Sequence, residues 1–568
     1  MISFHLQSIL TVSREGLRVF GRIGRKWSTK RLEEWSGLSP ECSDFDAAPP
    51  LEVGGQGYNA GTMEPKNARR EEVLERLEEA GGLRPGVVAK VHRETGVPEA
   101  DIYGVATFYH LLSDPDAGVR VCQGLSCQLA DCEGFKADLE SRGQKASFVS
   151  CLGRCDLAPA FWDPEAEPPI PAPGLTPSGG DLVIDLLGSD SSSYAGLAKA
   201  LAEGGEWVVS ALEASGITGR GGAGFPAHIK WRGVRSQPVR ERYVVLNADE
   251  GEPGTFKDRE ILLRRPHLVV EGLAIAAAAL EAGAIYIYIR GEFGRARQAL
   301  EAALAEAREV GSLAGLDAEW HFHDGHGAYI CGEETALLEA LEGKRGMPRM
   351  KPPFPVEKGF RGKPTLIQNV ETIACIPAIL ERGGEWFRAL GRTEPGTKLY
   401  CLSGHVRRPG VYEAPMGITM AELLEMAGGT PRPLKAFSPG GASSGFLPAS
   451  KVDVAMDFKS LQGEGSMLGS AGVVVLDESA DMVQAALAQA VFFEDESCGQ
   501  CAPCRIGTQV LRQTLDRYLE SRDPSVLGHL EDVMWGMGEA SICGLGQAAY
   551  YPLRSAMQYF PEEFGLGA

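Results

Sequence analysis

Three cysteines at CxxCxxC spacing, Cys498, Cys501 and Cys504, sit in the run ESCGQCAPCR, and a fourth, Cys543, stands in the later segment SICGLGQ. No other feature binds the fold as tightly, because four sulfurs that serve one centre must converge whatever chain lies between them. Thiolates two residues apart on a loop containing Gly and Pro point into one small volume, and a four-iron cubane takes three such corners plus a fourth from elsewhere. A structural zinc site is the alternative. Zinc ribbons, however, pair two CxxC knuckles, whereas here one loop supplies three sulfurs and a distant segment one. The pattern predicts a [4Fe-4S] cluster and a chain that carries electrons.

A second set, Cys122 and Cys127 in VCQGLSCQ with Cys151 and Cys155 in SCLGRCD, offers two sulfurs from each of two loops. That division suits a [2Fe-2S] rhomb, in which each iron takes two thiolates, and CxxxxC is wide for a zinc knuckle. The remaining Cys42, Cys132, Cys331, Cys375 and Cys401 lack such partners and read as structural.

The 568 residues predict three or four domains, and 44% apolar content is enough to fill their cores. A net charge of -20 argues against a nucleic-acid partner, which would need a basic contact face. Thirteen cysteines, eight of them in two four-residue sets, without a recognisable secretory signal, fit a reducing compartment and predict a cytoplasmic protein. The longest apolar stretch, His267 to Ile289, is interrupted by Glu271 and Glu281, so no transmembrane span is expected. Residues 1–62 open with a basic segment, from Arg14 to Arg31, read as an over-long start or a weakly ordered extension rather than a targeting arm.

From Asn67 to Leu112 apolar residues recur three and four apart, predicting short packed helices. GVRVCQG and ASFVSCLG read as strands around a polar helix, and EPPIPAPGLTPSGG as a linker. Between Leu182 and Pro395 helix and strand alternate: strands at Tyr243–Leu246 and Ala284–Arg290, helices at Leu268–Glu281 and Arg295–Val310. That alternation predicts an α/β sheet. Residues 397–429 read as a hairpin and helix of a small β-grasp insert, and the pattern from Asp481 onward as a helical bundle holding the CxxCxxC loop.

Gly219–Pro226, GRGGAGFP, satisfies GxGxxG but follows a predicted helix, so it fails the context of a Rossmann fingerprint; a phosphate- or ring-binding loop remains. The predicted strand RYVVLNADE ends in Asn247, Asp249 and Glu250 with Glu252 just beyond, while Gly332, Glu333 and Glu334 stand at a helix start. Such positions are where α/β sheets hold ligands. His321, His323 and His326 lack a further ligand at metal spacing, and Gly441–Gly445 matches GxSxG without the helix a hydrolase elbow requires.

Taken together, GRGGAGFP with its later KW, NADEGEPGTFKDR, GAYICGEETALLEALEG, KPPFP, NVET and ESCGQCAPCRIG resemble the NADH-binding flavoprotein subunit of the respiratory complex I family, from about Trp207 to Gly567. The part before the linker resembles the small thioredoxin-like two-iron subunit of the same complexes, through GVPEADIYGVATFYHLL and the four cysteines. Such fusions resemble the diaphorase subunits of NAD-linked hydrogenases and formate dehydrogenases. The resemblance implies FMN held by Gly219, Arg220, Gly221, Gly222, Lys230, Asn247, Asp249, Glu250, Gly332, Glu333, Asn369 and Thr372. It further implies Phe225 against the nicotinamide, Glu252, Lys351 and Phe354 around the rest of NAD(H), and Glu334 near both ligands. Gln368 and Gly233 depart from the family pattern.

With the resemblance the chain divides into a basic extension (1–62), a helical domain (63–118), a thioredoxin-like [2Fe-2S] domain (119–165), a linker (166–181), an FMN- and NADH-binding α/β domain (182–395), a β-grasp (SLBB-like) domain (396–480) and a helical [4Fe-4S] domain (481–568). The implied activity is reversible hydride transfer between NAD(H) and FMN, then one-electron transfer through the clusters to a partner subunit. That partner belongs to a formate dehydrogenase, a hydrogenase or a quinone-linked complex. No side chain is expected to act as a general acid or base. The competing reading is a non-catalytic iron–sulfur relay subunit.

Overall fold

The structure is a computed structural model describing residues 69–163, 184–188 and 193–567; the extension expected over 1–62, the linker over 166–181 and Cys42 lie outside the described residues. The first described segment forms the helices Val73–Glu79, Val87–Thr95, Glu99–Ala106 and His110–Ser113. Their apolar faces bury Val73, Leu77, Val91, Ile102 and Tyr109 in one core with Leu337 and Leu341 of the α/β part. This helical module is therefore packed against the large sheet unit, not merely tethered to it.

β1 (Val119–Cys122) and β2 (Ala146–Val149) run parallel with the helix Cys132–Ser141 between them, and β3 (Phe161–Trp162) adds antiparallel to β1. The two strand ends thus bring both cysteine pairs to one edge of a small sheet.

The central sheet contains β4 (Tyr243–Ala248), β5 (Ala284–Ile289), β6 (Glu319–Asp324) and β7 (Thr365–Asn369), all parallel, in the order β6-β5-β4-β7. Parallel strands need helical crossovers on both faces, which is why β5 reads AIYIYI with every position buried. The apolar stretch from His267 resolves into the helix Pro266–Leu280 and then β5; Glu271 accepts a hydrogen bond from the Leu197 amide at 3.0 Å. Among the described residues no helix is long and apolar enough to cross a membrane. Strand order reverses between β4 and β7, opening a crevice at their C-terminal ends, the position where doubly wound sheets take ligands.

β8 (Thr397–Gly404) and β9 (Gly410–Pro415) form the expected hairpin, followed by the helix Met420–Met426, whose Thr419 and Glu422 make a capping box. β10 (Leu434–Ser438), β11 (Leu447–Pro448) and β12 (Gly472–Asp477) complete a mixed sheet in the order β11-β10-β12-β8-β9. Ala442–Ser444 is a single 3-10 turn whose Ser444 hydroxyl donates to the Gly441 carbonyl at 2.8 Å. The GxSxG match is therefore a serine loop. The C-terminal bundle consists mainly of Met482–Asp495, Ala502–Ser521, Leu530–Ala540 and Tyr551–Tyr559.

Because Ile287 lies wholly buried in β5 between two packed layers, Ile287→Ala should cost about 3 kcal/mol, the usual range for a truncated core side chain. The check is the urea midpoint of the central domain, followed by tyrosine and tryptophan fluorescence.

Candidate active site

The glycine run closes on itself before its helix starts. Thr218 and Pro226 bridge antiparallel, and the Gly219 amide donates to the Phe225 carbonyl at 2.8 Å. The helix Gly205–Ser215 precedes this loop and Ala227–Arg235 follows it. The Arg220 amide donates to Thr372 Oγ1 at 2.8 Å, and a Cβ on Gly221 would come within 3.0 Å of the Asn369 Cβ, so the loop rests on the end of β7. The Arg220 guanidinium is buried, Nη2 donating to the Pro395 carbonyl at 2.9 Å while Nε has no hydrogen-bond partner. Gly222 has φ 145°, where side chains are strained, and a Cβ there would meet nothing within 4 Å. Bare backbone facing open space is the form of a phosphate or ring cradle.

Across the crevice, Asn247 Nδ2 donates to the Gly332 carbonyl at 2.8 Å and fixes the turn before the helix Glu334–Leu341. Near these strand ends the buried atoms without a hydrogen-bond partner include Asp249 Oδ2, Tyr288 Oη of the residue paired with Asn247, and Gln368 Nε2 of the residue paired with Leu246. Burial pushes the Asp249 carboxyl up to about 8, against the pull of Arg290, so it is mostly protonated at neutral pH. A glycine loop with space above Gly222, and unpaired buried donors and acceptors at the neighbouring strand ends, fit a group that has both donors and acceptors, as the ring of FMN has.

Glu333 caps the helix at Glu334, its Oε2 accepting from the Thr335 and Ala336 amides at 2.8 and 2.9 Å. Lys351 Nζ bridges Glu333 Oε1 and Glu334 Oε1, each at 2.8 Å, and Lys230 Nζ reaches Glu334 Oε2 at 2.8 Å. Burial would raise the Glu334 carboxyl, but the Lys230 and Lys351 charges prevail and hold it at about 2. Phe225 and Phe354 stand out with 39% and 44% of their surface exposed, unusual for phenylalanine in a polar crevice and apt for stacking on a ring.

Glu250 and Glu252, which the resemblance assigns to ligands, already have protein partners. Glu250 is buried and accepts from the Asp258 and Arg259 amides at 2.9 and 3.1 Å, sealing the first turn of Lys257–Arg264. Glu252 accepts from the Ser443 amide at 2.8 Å and from the Tyr329 hydroxyl, linking the acidic loop to the serine loop of the insert.

Both cysteine sets converge. Cys122, Cys127, Cys151 and Cys155 are buried, and their thiols meet in the pairs Cys122 with Cys127, Cys122 with Cys151 and Cys151 with Cys155. Amides of Gly153, Ala160 and Gly254 donate to Cys151, Cys127 and Cys155 Sγ at 3.4, 3.4 and 3.3 Å, the kind of contact that tunes a cluster's potential. In the other set, Cys501 caps the helix Ala502–Ser521, Cys504 lies in its first turn, and Cys543 caps Gly544–Ala548. A Cβ on Gly546 would fall 2.8 Å from the Cys504 Cβ, so the distant segment does close over the loop. Burial pushes the Cys543 thiol up to about 12; its proton leaves when a cluster binds. Among the described residues no group of three or more His, Cys, Asp or Glu closes on a single metal ion. The three histidines have other roles: His321 stacks on Tyr286 at 4.7 Å, His323 lies 5.8 Å from the same ring, and His326 bonds Glu78 at 3.3 Å.

The sites are joined by side chains that sequence reasoning did not single out. Glu496, two residues before Cys498, accepts from the Ser150 hydroxyl beside Cys151 and from the Tyr329 amide at 2.9 Å. A small cavity lined by Cys151, Asp249, Arg290, Tyr329 and Glu496 lies between them. Under the crevice, Lys257, Glu371 and Lys398 are wholly buried, with both lysines 3.0 Å from Glu371 Oε2. Lys257 and Glu371 lie within the motifs NADEGEPGTFKDR and NVET, which was the available signal; Lys398 lies outside both.

The glycine loop, the unpaired buried polar atoms and the two cysteine sets suit an iron–sulfur flavoprotein, the class that the family matches give. Residues 212–378 match the family described as "Nuo51 FMN-binding domain", 484–566 the "NADH-ubiquinone oxidoreductase-F iron-sulfur binding region", 399–447 the "SLBB domain" and 64–163 the "Thioredoxin-like [2Fe-2S] ferredoxin". The chain is 49% identical over 386 residues to the F 2 subunit of the NADH-quinone oxidoreductase of Rhizobium meliloti (strain 1021), covering 65% of this chain and 91% of the relative. To the F subunit of the NADH-quinone oxidoreductase of Rhodobacter capsulatus it is 45% identical over 382 residues, covering 65% and 89%. The chain belongs to the family of NADH-quinone oxidoreductase F subunits, with a thioredoxin-like [2Fe-2S] part joined ahead of it. The crystal structure of an NAD+-reducing [NiFe]-hydrogenase in the H2-reduced state contains a chain that superposes with TM-score 0.79 at 30% identity, covering 88% of this chain and 93% of that one. The two matched regions described as iron–sulfur binding and as a [2Fe-2S] ferredoxin span the two cysteine sets.

The Glu334 carboxyl sits below its unfolded value of about 4.3, so its lysine contacts stabilise the fold above that pH and the contribution vanishes as pH falls through about 2. Lys351→Met should therefore lower stability by about 1–2 kcal/mol at pH 7, with the gap to the parent closing on acidification. Urea midpoints measured from pH 7 down to pH 2.5 check this.

Proposed function

We propose that the chain is the diaphorase subunit of a multisubunit redox complex, exchanging electrons reversibly between NAD(H) and an iron–sulfur partner subunit. The observation that carries this reading is the reversal of strand order between β4 and β7, where the glycine loop rests on Asn369 and Thr372 and where Asn247 of β4 holds the Gly332 turn. Bound there, FMN supplies the conversion between a two-electron hydride and single electrons.

The residues act by positioning and by charge. Gly221 and Gly222 let the flavin approach the backbone closely, while Gly219 and Arg220 shape the loop through their bonds to the Phe225 carbonyl and Thr372; Asn369 and Thr372 hold that loop on the sheet. Asn247 fixes the Gly332 turn, and the protonated Asp249 offers a donor. Lys230, Glu333, Glu334 and Lys351 form a charged wall whose salt bridges exchange for ligand contacts, while Phe225 and Phe354 stack on the dinucleotide. Glu250 and Glu252 serve the same site indirectly, by anchoring the loop between β4 and the helix Lys257–Arg264. Cys498, Cys501, Cys504 and Cys543 hold the first one-electron station beyond the flavin, and Cys122, Cys127, Cys151 and Cys155 hold the two-iron cluster.

The likeness to the hydrogenase chain extends over the thioredoxin-like part as well, which supports a diaphorase role for the whole chain. The acceptor belongs to a hydrogenase, a formate dehydrogenase or a quinone-linked complex, and the cysteine usage supports a cytoplasmic location.

Protein purified anaerobically should be yellow, contain one FMN per chain and reduce ferricyanide with NADH. Absence of FMN together with absence of this activity overturns the reading. Phe354→Ala should raise KM for NADH about tenfold with a smaller change in kcat, as loss of a stacking contact made in both ground and transition states requires.

A further inference from the structure

Segment 343–363 carries Lys351 and Phe354, and the helical module grips it at both ends. At the first end, the Tyr109 hydroxyl donates to the Lys344 carbonyl at 2.7 Å, and Arg345 Nε donates to the Gly104 carbonyl at 2.8 Å. The fit there is close: a Cβ on Gly343 would lie 1.9 Å from the Arg70 carbonyl oxygen. At the second end, the Arg361 guanidinium forks onto Glu71, Nε to Oε1 at 2.8 Å and Nη2 to Oε2. Arg361 has φ 50°, a left-handed conformation that a side chain adopts only when its surroundings enforce it.

From that second end an unbroken set of polar contacts leads to the crevice. The Arg361 amide donates to Glu342 Oε1 at 3.0 Å, and Arg349 Nη2 pairs with the same oxygen at 2.9 Å. The Arg349 amide donates to Thr335 Oγ1 at 2.9 Å; the Thr335 hydroxyl donates to Glu333, whose other oxygen takes Lys351 Nζ at 2.8 Å. Through this segment and its contacts the helical module reaches the nucleotide wall.

We propose that Arg345 and the Glu71–Arg361 pair, with Tyr109, are positioning residues for the nucleotide: the helical module next to the thioredoxin-like domain sets the conformation of segment 343–363, and with it the affinity for NADH. The inference rests on the reading above that Lys351 and Phe354 meet the dinucleotide. It gives the N-terminal part of the chain a role in substrate binding, separate from its cluster.

The test uses the full-length holoprotein carrying Glu71→Gln and Arg345→Met together, with NADH–ferricyanide kinetics, FMN content and low-temperature EPR of both clusters. Loss of two ground-state contacts should raise KM for NADH about fivefold, with kcat held within about twofold and FMN and EPR signals unchanged. Arg345→Lys with Glu71 intact, which keeps a donor, should keep KM near the parent value. An unchanged KM overturns the proposal, as does a fall in kcat and FMN content together without a KM change. Phe354→Ala separates the two claims. If it leaves KM unaltered, the nucleotide reading itself fails; if it raises KM while the double variant does not, only the positioning role falls. Should the double variant fail to accumulate, Glu71→Gln alone, at a pair with 41% and 45% exposed side chains, decides by the same KM criterion.

Discussion

The site depends on a buried charge network beneath the reversal of strand order. Lys257 and Lys398 both contact Glu371 at 3.0 Å, Lys257 contacts Asp258 at 2.6 Å, and Asn369 Nδ2 donates to Asp258 at 2.6 Å. Lys398 Nζ also donates to the Arg220 carbonyl at 3.1 Å, and the Leu399 amide to Glu371 Oε1 at 2.9 Å. One cluster thus clamps the glycine loop, the end of β7, the helix Lys257–Arg264 and the first strand of the insert. Taking four charges out of water costs several kcal/mol for each ion, a cost that close pairing offsets, and here each ion is paired. Burial brings the Lys398 ammonium down to about 8, while Lys257, despite the same burial, is held fully charged by Asp258 and Glu371. The network therefore favours one arrangement of the crevice over the looser packings an apolar interface would tolerate.

That rigidity explains how three cofactor sites share one chain. Glu496 ties the [4Fe-4S] loop to Ser150 and Tyr329, Gly254 of the acidic loop donates to Cys155 at 3.3 Å, and Gln123 Nε2 donates to Asp495 at 3.0 Å. Each contact joins a cysteine-bearing segment to another module.

Much of this was legible in the residues. The switch from period-two to helical patterning located β4, β5 and their crossover helices, and the failed Rossmann context of GRGGAGFP agrees with the helix Gly205–Ser215 that precedes it. The cysteine spacings singled out both four-cysteine sets because spacing within each loop is local. The remainder was not local. That Glu250 would cap a helix, that Lys398 would cross from the insert to Glu371, and that Arg361 would meet Glu71 across the chain follow only from tertiary packing, and neither periodicity nor motif spacing encodes such pairings. Resemblance supplied the candidate residues; the structure shows which have free polar atoms and which are already committed.

The central claim is that one crevice passes electrons from NADH to the cluster on Cys498, Cys501, Cys504 and Cys543. An anaerobic titration of the purified protein with NADH, followed by flavin absorbance and low-temperature EPR, tests it most directly. The account predicts bleaching of the flavin together with a reduced [4Fe-4S] signal, and in Cys504→Ser the same bleaching with that signal missing or altered. A [4Fe-4S] signal that appears with NADH in protein stripped of flavin, or one unaffected by Cys504→Ser, would contradict it.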